Sequence, residues 1–387
     1  MSLNRKLRYG MVGGGPNAFI GNVHRMAASL DGKMELVAGA FSSDPEKSKI
    51  QGNLLGLSPD RSYASYQMMA ESELSREDGI DFVSIVTPNH MHFSVAKAFL
   101  EAGFHVVCDK PMTNTLEDAE ELCHLVQKHD RVFVLTHNYT GYPMVKQARA
   151  MVKIGKIGAV RKIVVEYPQG WLATPLELSG HKQAGWRTDP KRAGAGALGD
   201  IGSHAENLAR YITGLEIESI CADVTSFVDG RIIDDDVNML VHYQGGARGV
   251  LHASQISIGE ENNLNIRVHG ESGSLQWFQE HPNWLYYRAL DGPEQVFKRG
   301  NDYLCDSAKR NTRLPSGHPE AFLEAFANIY MNAGKTILAH QTGKIPDSND
   351  LDFPTVQDGA RGVHFILTAL KSGQNRSWID AKYTPPV

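Results

Sequence analysis

The chain has 387 residues, more than one hydrophobic core usually serves, so two domains are expected. Its 44 acidic and 39 basic residues leave a net charge of −5 with both signs mixed along the chain, which argues against nucleic-acid or membrane-surface partners. No apolar run approaches the roughly 20 residues of a membrane-spanning helix, and the four scattered cysteines (Cys108, Cys123, Cys221, Cys305) lack metal or disulfide spacing, which suits a reducing, cytoplasmic setting without bound metal.

Residues 1–6 run straight into a strand-like stretch without the apolar core of an export signal. Short runs rich in Val and Ile at 7–12, 35–41, 82–87, 105–108 and 132–136 read as buried parallel strands. Helical patterns separate or follow them at 18–30, 45–55, 64–75, 90–102 and 116–129. This alternation predicts a doubly wound parallel sheet, a Rossmann-type α/β domain, over residues 1–138.

The rhythm then changes. Helical segments at 143–154, 202–213 and 319–334 accompany longer alternating stretches at 160–167, 217–228, 236–243, 247–258, 263–270 and 273–278. Hairpin signals such as Gln244-Gly245-Gly246 separate some of them. Residues 139–387 are therefore expected to form an α+β domain with a large, mostly antiparallel open sheet and helices on one face. A last helix, near 359–372, fits either domain.

Gly13-Gly14-Gly15-Pro16-Asn17-Ala18 fits G-x-G-x-x-A between the first strand and an amphipathic helix, and Phe19 just after it is also expected at the cofactor. Such a turn lets a pyrophosphate approach backbone N–H groups at a helix N-terminus, so the loop is expected to bind a dinucleotide. At the end of the second strand, Ser42 and Ser43 stand where a ribose-binding acid is common, with Asp44 and Lys47 beyond. NAD is the expected cofactor. NADP stays open, because a hydroxyl does not repel a 2′-phosphate; Ser42 and Ser43 as plain helix caps is the other reading. Thr87-Pro88-Asn89-His90-Met91-His92 ends another strand and is expected to border the cofactor, chiefly through Thr87, Pro88, Asn89 and His92.

Two segments carry chemistry. Asp109-Lys110-Pro111 follows the fourth strand, so Lys110 should emerge at the same crevice; a cis bond before Pro111 is admissible. A lysine there can donate to a substrate hydroxyl, although a solvated strand-end lysine is the plainer alternative. Gly199-Asp200-Ile201-Gly202-Ser203-His204 opens a helix and sets Asp200 and His204 on one face, four residues apart. His204 in a first turn would be pushed toward neutral, as a base requires. Against this, Asp200 or Ser203 is also a good N-cap, and His204 a good structural histidine.

The chain resembles the glucose–fructose oxidoreductase, inositol dehydrogenase and rhizopine catabolism family, written Gfo/Idh/MocA. The likeness rests on the glycine loop, Thr87-Pro88-Asn89-His90, Asp109-Lys110-Pro111, His137-Asn138-Tyr139, the Gly199–His204 segment and Arg267-Val268-His269-Gly270-Glu271-Ser272-Gly273-Ser274-Leu275. The usual Glu-Lys-Pro is Asp-Lys-Pro here, and an acid usual three residues after the histidine is Asn207. The resemblance implies a catalytic group of Lys110, Asp200 and His204, with Asp109 and Asn138 added to the cofactor site. Further likeness to levoglucosan dehydrogenase-type members lies in Tyr167-Pro168-Gln169-Gly170-Trp171-Leu172, Trp186-Arg187-Thr188-Asp189-Pro190 and Gly317-His318-Pro319-Glu320. Tyr139, Gln169, Trp171 and Arg187 are accordingly expected at the substrate, although Trp171 and Trp186 also suit core packing.

What the resemblance implies is an NAD(P)-dependent oxidoreductase acting on a sugar, anhydrosugar or inositol. His204 would take the hydroxyl proton while Lys110 steadies the alkoxide and hydride passes to the nicotinamide. Rival readings within the fold are an NAD-recycling glycoside hydrolase and a non-catalytic sugar sensor. Pairing through the open sheet, as a homodimer or homotetramer, is also implied.

Overall fold

The computed structural model describes residues 5–16 and 18–387. It divides into two units. The first comprises the described part of residues 1–138 with Leu323–Ala360 and Pro385–Val387; the second comprises Tyr139–Phe322 and Arg361–Thr384.

The first unit holds five parallel strands: β1 (Leu7–Gly13), β2 (Met34–Ala40), β3 (Phe82–Val86), β4 (His105–Cys108) and β5 (Phe133–Leu135). Their order is β2-β1-β3-β4-β5. Every residue of β3, β4 and β5 is buried, as parallel strands covered on both faces require. The strand order reverses between β1 and β3, and the crevice beyond such a reversal is where open α/β sheets bind ligands. Helices start where side chains meet free backbone donors: Asp44 accepts from Glu46 and Lys47, Ser65 from Met68, and Thr115 from Asp118.

In the second unit nine strands form one sheet. They are β6 (Val160–Pro168), β7 (Ile217–Thr225), β8 (Asp236–Tyr243), β9 (Arg248–Ser254), β10 (Asn265–Gly270), β11 (Gly273–Phe278), β12 (Trp284–Ala289), β13 (Gln295–Lys298) and β14 (Ile379–Asp380). Their order is β13-β12-β11-β10-β6-β9-β8-β7-β14, with β6 and β9 parallel and the other neighbours antiparallel. Helices Pro143–Lys153 and Ser203–Thr213 pack on the sheet. Both expected sheets are thus present.

Three differences from the sequence reading have physical causes. Strands β12, β13 and β14 were not foreseen; β13 is a short edge strand with little burial, and β14 has two residues. The helix expected at 319–334 spans Phe322–Gln341, and from Leu323 onward it belongs to the first unit. It is buried on nearly every side, so its pattern carries no preferred face. Gly334 lets it close on the first sheet: a Cβ there would lie 2.5 Å from Met34 Cε. Third, the segment opening at 202 is entered through a π-helical turn, Leu198–Gly202, that runs into Ser203–Thr213. His204 therefore lies beyond the first turn, and neither Asp200 nor Ser203 is an N-cap; Ser203 Oγ donates back to Gly199 O at 2.8 Å.

Candidate active site

In the first unit the expected cofactor residues gather at the carboxyl ends of the strands. Gly13 and Gly14 have φ of +88° and +70°, which residues with a Cβ rarely adopt, and so reverse the chain out of β1. Phe19, expected at the cofactor, is 62% exposed. Asn17 lies outside the described residues. After β2, the Ser42 hydroxyl accepts from Asp44 N at 3.1 Å, and Asp44 is occupied as the cap of Pro45–Leu54 and by Lys47 at 3.5 Å. Ser43 stays exposed.

These features fit a dinucleotide. The glycine turn packs closely on the ends of β2 and β3, a Cβ on Gly15 lying 2.6 Å from Phe41 O and one on Gly13 2.7 Å from Val86 O, no carboxylate closes the end of β2, and Thr87 Oγ1 and Asn138 Nδ2 are buried without hydrogen-bond partners. Buried polar groups are otherwise matched in folded proteins, so two orphans at one end of one sheet mark a place for a ligand.

His92, expected at the cofactor, is fully buried, with Nδ1 2.8 Å from Pro111 O and Nε2 2.9 Å from Thr87 O. It ties the loop after β3 to the loop after β4. Burial pushes its imidazole toward neutral, against the pull of Asp109 and the two carbonyls.

Asp109 also turns inward. Its N–H donates to Ile85 O at 2.9 Å, and its Oδ1 accepts from Thr136 Oγ1 at 2.8 Å. His24 Nε2 lies 3.7 Å away, too long for a hydrogen bond but close for a charge contact. Burial opposes the Asp109 carboxylate, yet His24, Lys110 and His92 outweigh it and hold its carboxyl well below the usual range. Behind it, His24 Nδ1 lies 2.7 Å from the Tyr330 hydroxyl, itself 2.8 Å from Ser84 Oγ. The sequence reading missed His24, Tyr330 and Ser84; no local motif links residues that far apart. Lys110 follows at the rim, and its bond to Pro111 is cis.

In the second unit, Asp200 and His204 sit among the expected substrate residues. Asp200 Oδ2 accepts from Arg187 Nε at 3.2 Å and from Gln255 Nε2 at 2.9 Å. Arg187 also stacks on Trp186, 4.3 Å from its ring centre. His204, 7% exposed, meets Tyr139 edge-on at 4.8 Å and Tyr167 at 6.4 Å. The Tyr139 and Tyr167 hydroxyls bond each other, and Tyr167 donates to Asn262 Oδ1 at 2.7 Å. Gln169 donates to the same Asn262 oxygen at 2.7 Å and accepts from Trp171 Nε1 at 3.0 Å. Burial pushes both tyrosine hydroxyls upward, so they stay protonated.

This chain from Trp171 to Tyr139 borders His204. Trp171 and Trp186 are partly exposed rather than core residues. Gln169 is more committed than expected, its carbonyl taken by Trp171. Asn262 and Gln255 are additions to the expected set, drawn from loops without a readable motif. The segment around His318 and Glu320 wraps Arg299: Glu320 Oε1 accepts from Arg299 Nη1 at 2.8 Å and from Arg313 N at 2.7 Å, with both side chains buried.

A family model described as an oxidoreductase family with an NAD-binding Rossmann fold matches residues 7–137. A second, the GFO/IDH/MocA C-terminal domain, matches residues 145–276. A solved oxidoreductase from Sinorhizobium meliloti is 44% identical with a TM-score of 0.89, covering 97% of this chain and 100% of that one. An inositol dehydrogenase homolog from Azotobacter vinelandii, solved with NADH and myo-inositol, is 36% identical with a TM-score of 0.91, covering 97% and 98%. The levoglucosan dehydrogenase of Pseudarthrobacter phenanthrenivorans is 27% identical over 97% of this chain and 98% of its own length. Glycine turn, parallel sheet and motif order agree with these matches: the chain belongs to the Gfo/Idh/MocA family of NAD-binding oxidoreductases.

Proposed function

We propose that this protein interconverts a ring hydroxyl and the corresponding ketone on a sugar, anhydrosugar or inositol. The observation that carries the reading is the chain of hydroxyl, amide and indole groups bordering His204. Tyr139, Tyr167, Asn262, Gln169 and Trp171 offer alternating polar contacts and aromatic faces, which suit a polyhydroxylated ring. The similarity to an inositol dehydrogenase homolog solved with NADH and myo-inositol, and to a levoglucosan dehydrogenase, supports the same class.

NAD, when bound at the glycine turn, supplies or accepts the hydride. His204 takes the hydroxyl proton during oxidation and returns it during reduction. Asp200, steadied by Arg187 and Gln255, keeps that imidazole in place or relays its proton. Lys110 provides a positive charge for the developing alkoxide, so no metal is required. Gly13, Gly15, Pro16, Asn17, Ala18, Thr87, Pro88, Asn89 and Asn138 hold the cofactor.

The test is a panel of sugars, anhydrosugars and inositols with NAD and NADP in parallel, read by absorbance of reduced cofactor. Lys110→Ala is expected to lower kcat by on the order of 10²–10³-fold while NADH still binds. Near wild-type turnover in that variant, or no turnover of any polyol by the wild type, would overturn the reading.

We further propose that two copies pair through the open face of the nine-stranded sheet. Leu240, Val250 and Val164 form one cross-strand row there, and Trp284 and Tyr286 extend the apolar face toward β13. The cysteines, all without disulfides, suit a cytoplasmic setting.

A further inference from the structure

Immediately before β8 lie Arg231, Asp234 and Asp235, all at most 8% exposed. None belongs to a motif of the sequence, and none has a part in the chemistry above. Their contacts nevertheless divide between the two segments on which the proposed site depends.

Asp234 serves the turn that carries Asp200. Its Oδ1 accepts from Gly196 N and its Oδ2 from Leu198 N, both at 2.7 Å, and its carbonyl accepts from Ala197 N at 3.0 Å. Three successive backbone donors at the head of the π-turn are thereby held by one residue. Gly196 has to be glycine for this approach, since a Cβ there would lie 1.8 Å from Asp234 O. Asp200 N then donates to Gly196 O at 2.9 Å, completing the link.

Arg231 and Asp235 serve the segment after β6. Arg231 donates to Leu172 O at 2.9 Å, Thr174 O at 3.1 Å, both carboxylate oxygens of Glu177 at 2.9 and 3.0 Å, and Asp235 Oδ2 at 3.1 Å. All five guanidinium N–H groups are therefore used, four of them on residues 172–177, directly after Trp171. Asp235 is fixed in turn by Phe227 N at 2.9 Å and Val228 N at 3.1 Å. Its carbonyl accepts from Gln255 N at 2.8 Å, and Gln255 is the residue that bonds Asp200.

We propose that Arg231, Asp234 and Asp235 are positioning residues of the reaction: Asp234 sets the turn bearing Asp200 and His204, and Arg231 with Asp235 sets the Trp171 loop that receives the sugar ring. This rests on the functional reading above. Because the two clamps act on different segments, their loss should affect different kinetic constants. Misplacing the catalytic turn costs rate, whereas loosening the loop costs substrate affinity.

The test uses the full chain with Asp234→Asn, Arg231→Lys and the milder Glu177→Gln. Without substrate, hydrogen exchange read by mass spectrometry should quicken in residues 194–200 for Asp234→Asn, and in residues 170–177 for the other two. With the polyol of highest kcat/KM in the panel, Asp234→Asn should lower kcat by about 10²-fold at nearly constant KM. Arg231→Lys should raise KM by about tenfold at nearly constant kcat, and Glu177→Gln should raise it less. NADH affinity should not change in any of them. Exchange that quickens everywhere, or kcat and KM that stay at wild-type values in a folded variant, overturns the proposal. If Asp234→Asn or Arg231→Lys does not fold, Glu177→Gln decides: its carboxylate is a peripheral partner, and an unchanged KM refutes the loop clamp. Absence of turnover with every polyol would instead defeat the functional reading, while the exchange data still judge the clamps.

Discussion

Replacing Asp109 by asparagine and by glutamate separates charge from shape beside Lys110. Asparagine keeps the outline but loses the anion that accepts from Thr136 at 2.8 Å and faces His24 at 3.7 Å. A hydrogen bond to a charged group contributes about 1.5–3 kcal/mol, and part of that is offset because asparagine escapes the cost of burying an anion; a net loss of about 2 kcal/mol is expected. Glutamate keeps the charge but adds a methylene against His24 and Cys108, both without exposed surface, which costs about 1–3 kcal/mol by overpacking. The two penalties are similar in size and differ in pH dependence. The folded carboxyl of Asp109 is held below its unfolded value, so its stabilisation is present above about pH 3.9 and is lost as pH falls through the folded value. The gap between wild type and Asp109→Asn should therefore be constant from pH 5 to 8 by this linkage and shrink in acid. The penalty of Asp109→Glu should not follow that course. Hydrogen exchange of β4 amides at a series of pH values measures both. Wild-type protection in Asp109→Asn at neutral pH, or a gap that grows in acid, would refute the reasoning.

Two further outcomes are expected. His105 accepts from Val132 N at 2.9 Å; burial first, then His340 and Arg131, hold its imidazole down to about 3. An unfolded histidine takes up its proton near pH 6.5, so the first unit should lose up to about 4 kcal/mol as pH falls from there toward 3. His105→Gln should flatten that slope in urea titrations, and an unchanged slope would count against the assignment. For the open sheet, light scattering should report a dimer or larger assembly, and Leu240→Lys should shift it toward monomer; a monomeric wild type would contradict the pairing.

The sequence was most legible where structure is local. The strands of the first unit are short apolar runs between capped helices, so their ends fall within a residue or two of expectation. Lys110, Asp200 and His204 stand in segments whose order along the chain already suggested a shared purpose. Contacts that join distant residues were not legible. His24 and Tyr330 meet across 306 positions, and neither has a neighbour that announces the other. Asp234 and Asp235 sit in a run of three acids with no motif to mark them, and the structure buries both.

The return of residues 323–360 to the first unit determines what can be removed from this protein. A chain stopped at residue 138 would keep all five strands of the nucleotide fold, yet lack the tyrosine that meets His24 and Ser84 and the helix lying against Met34. The nucleotide-binding half is therefore no detachable cassette. Its last layer is translated after eight of the nine strands of the second sheet, so during synthesis the Asp109 neighbourhood reaches its final form only once most of the protein has emerged.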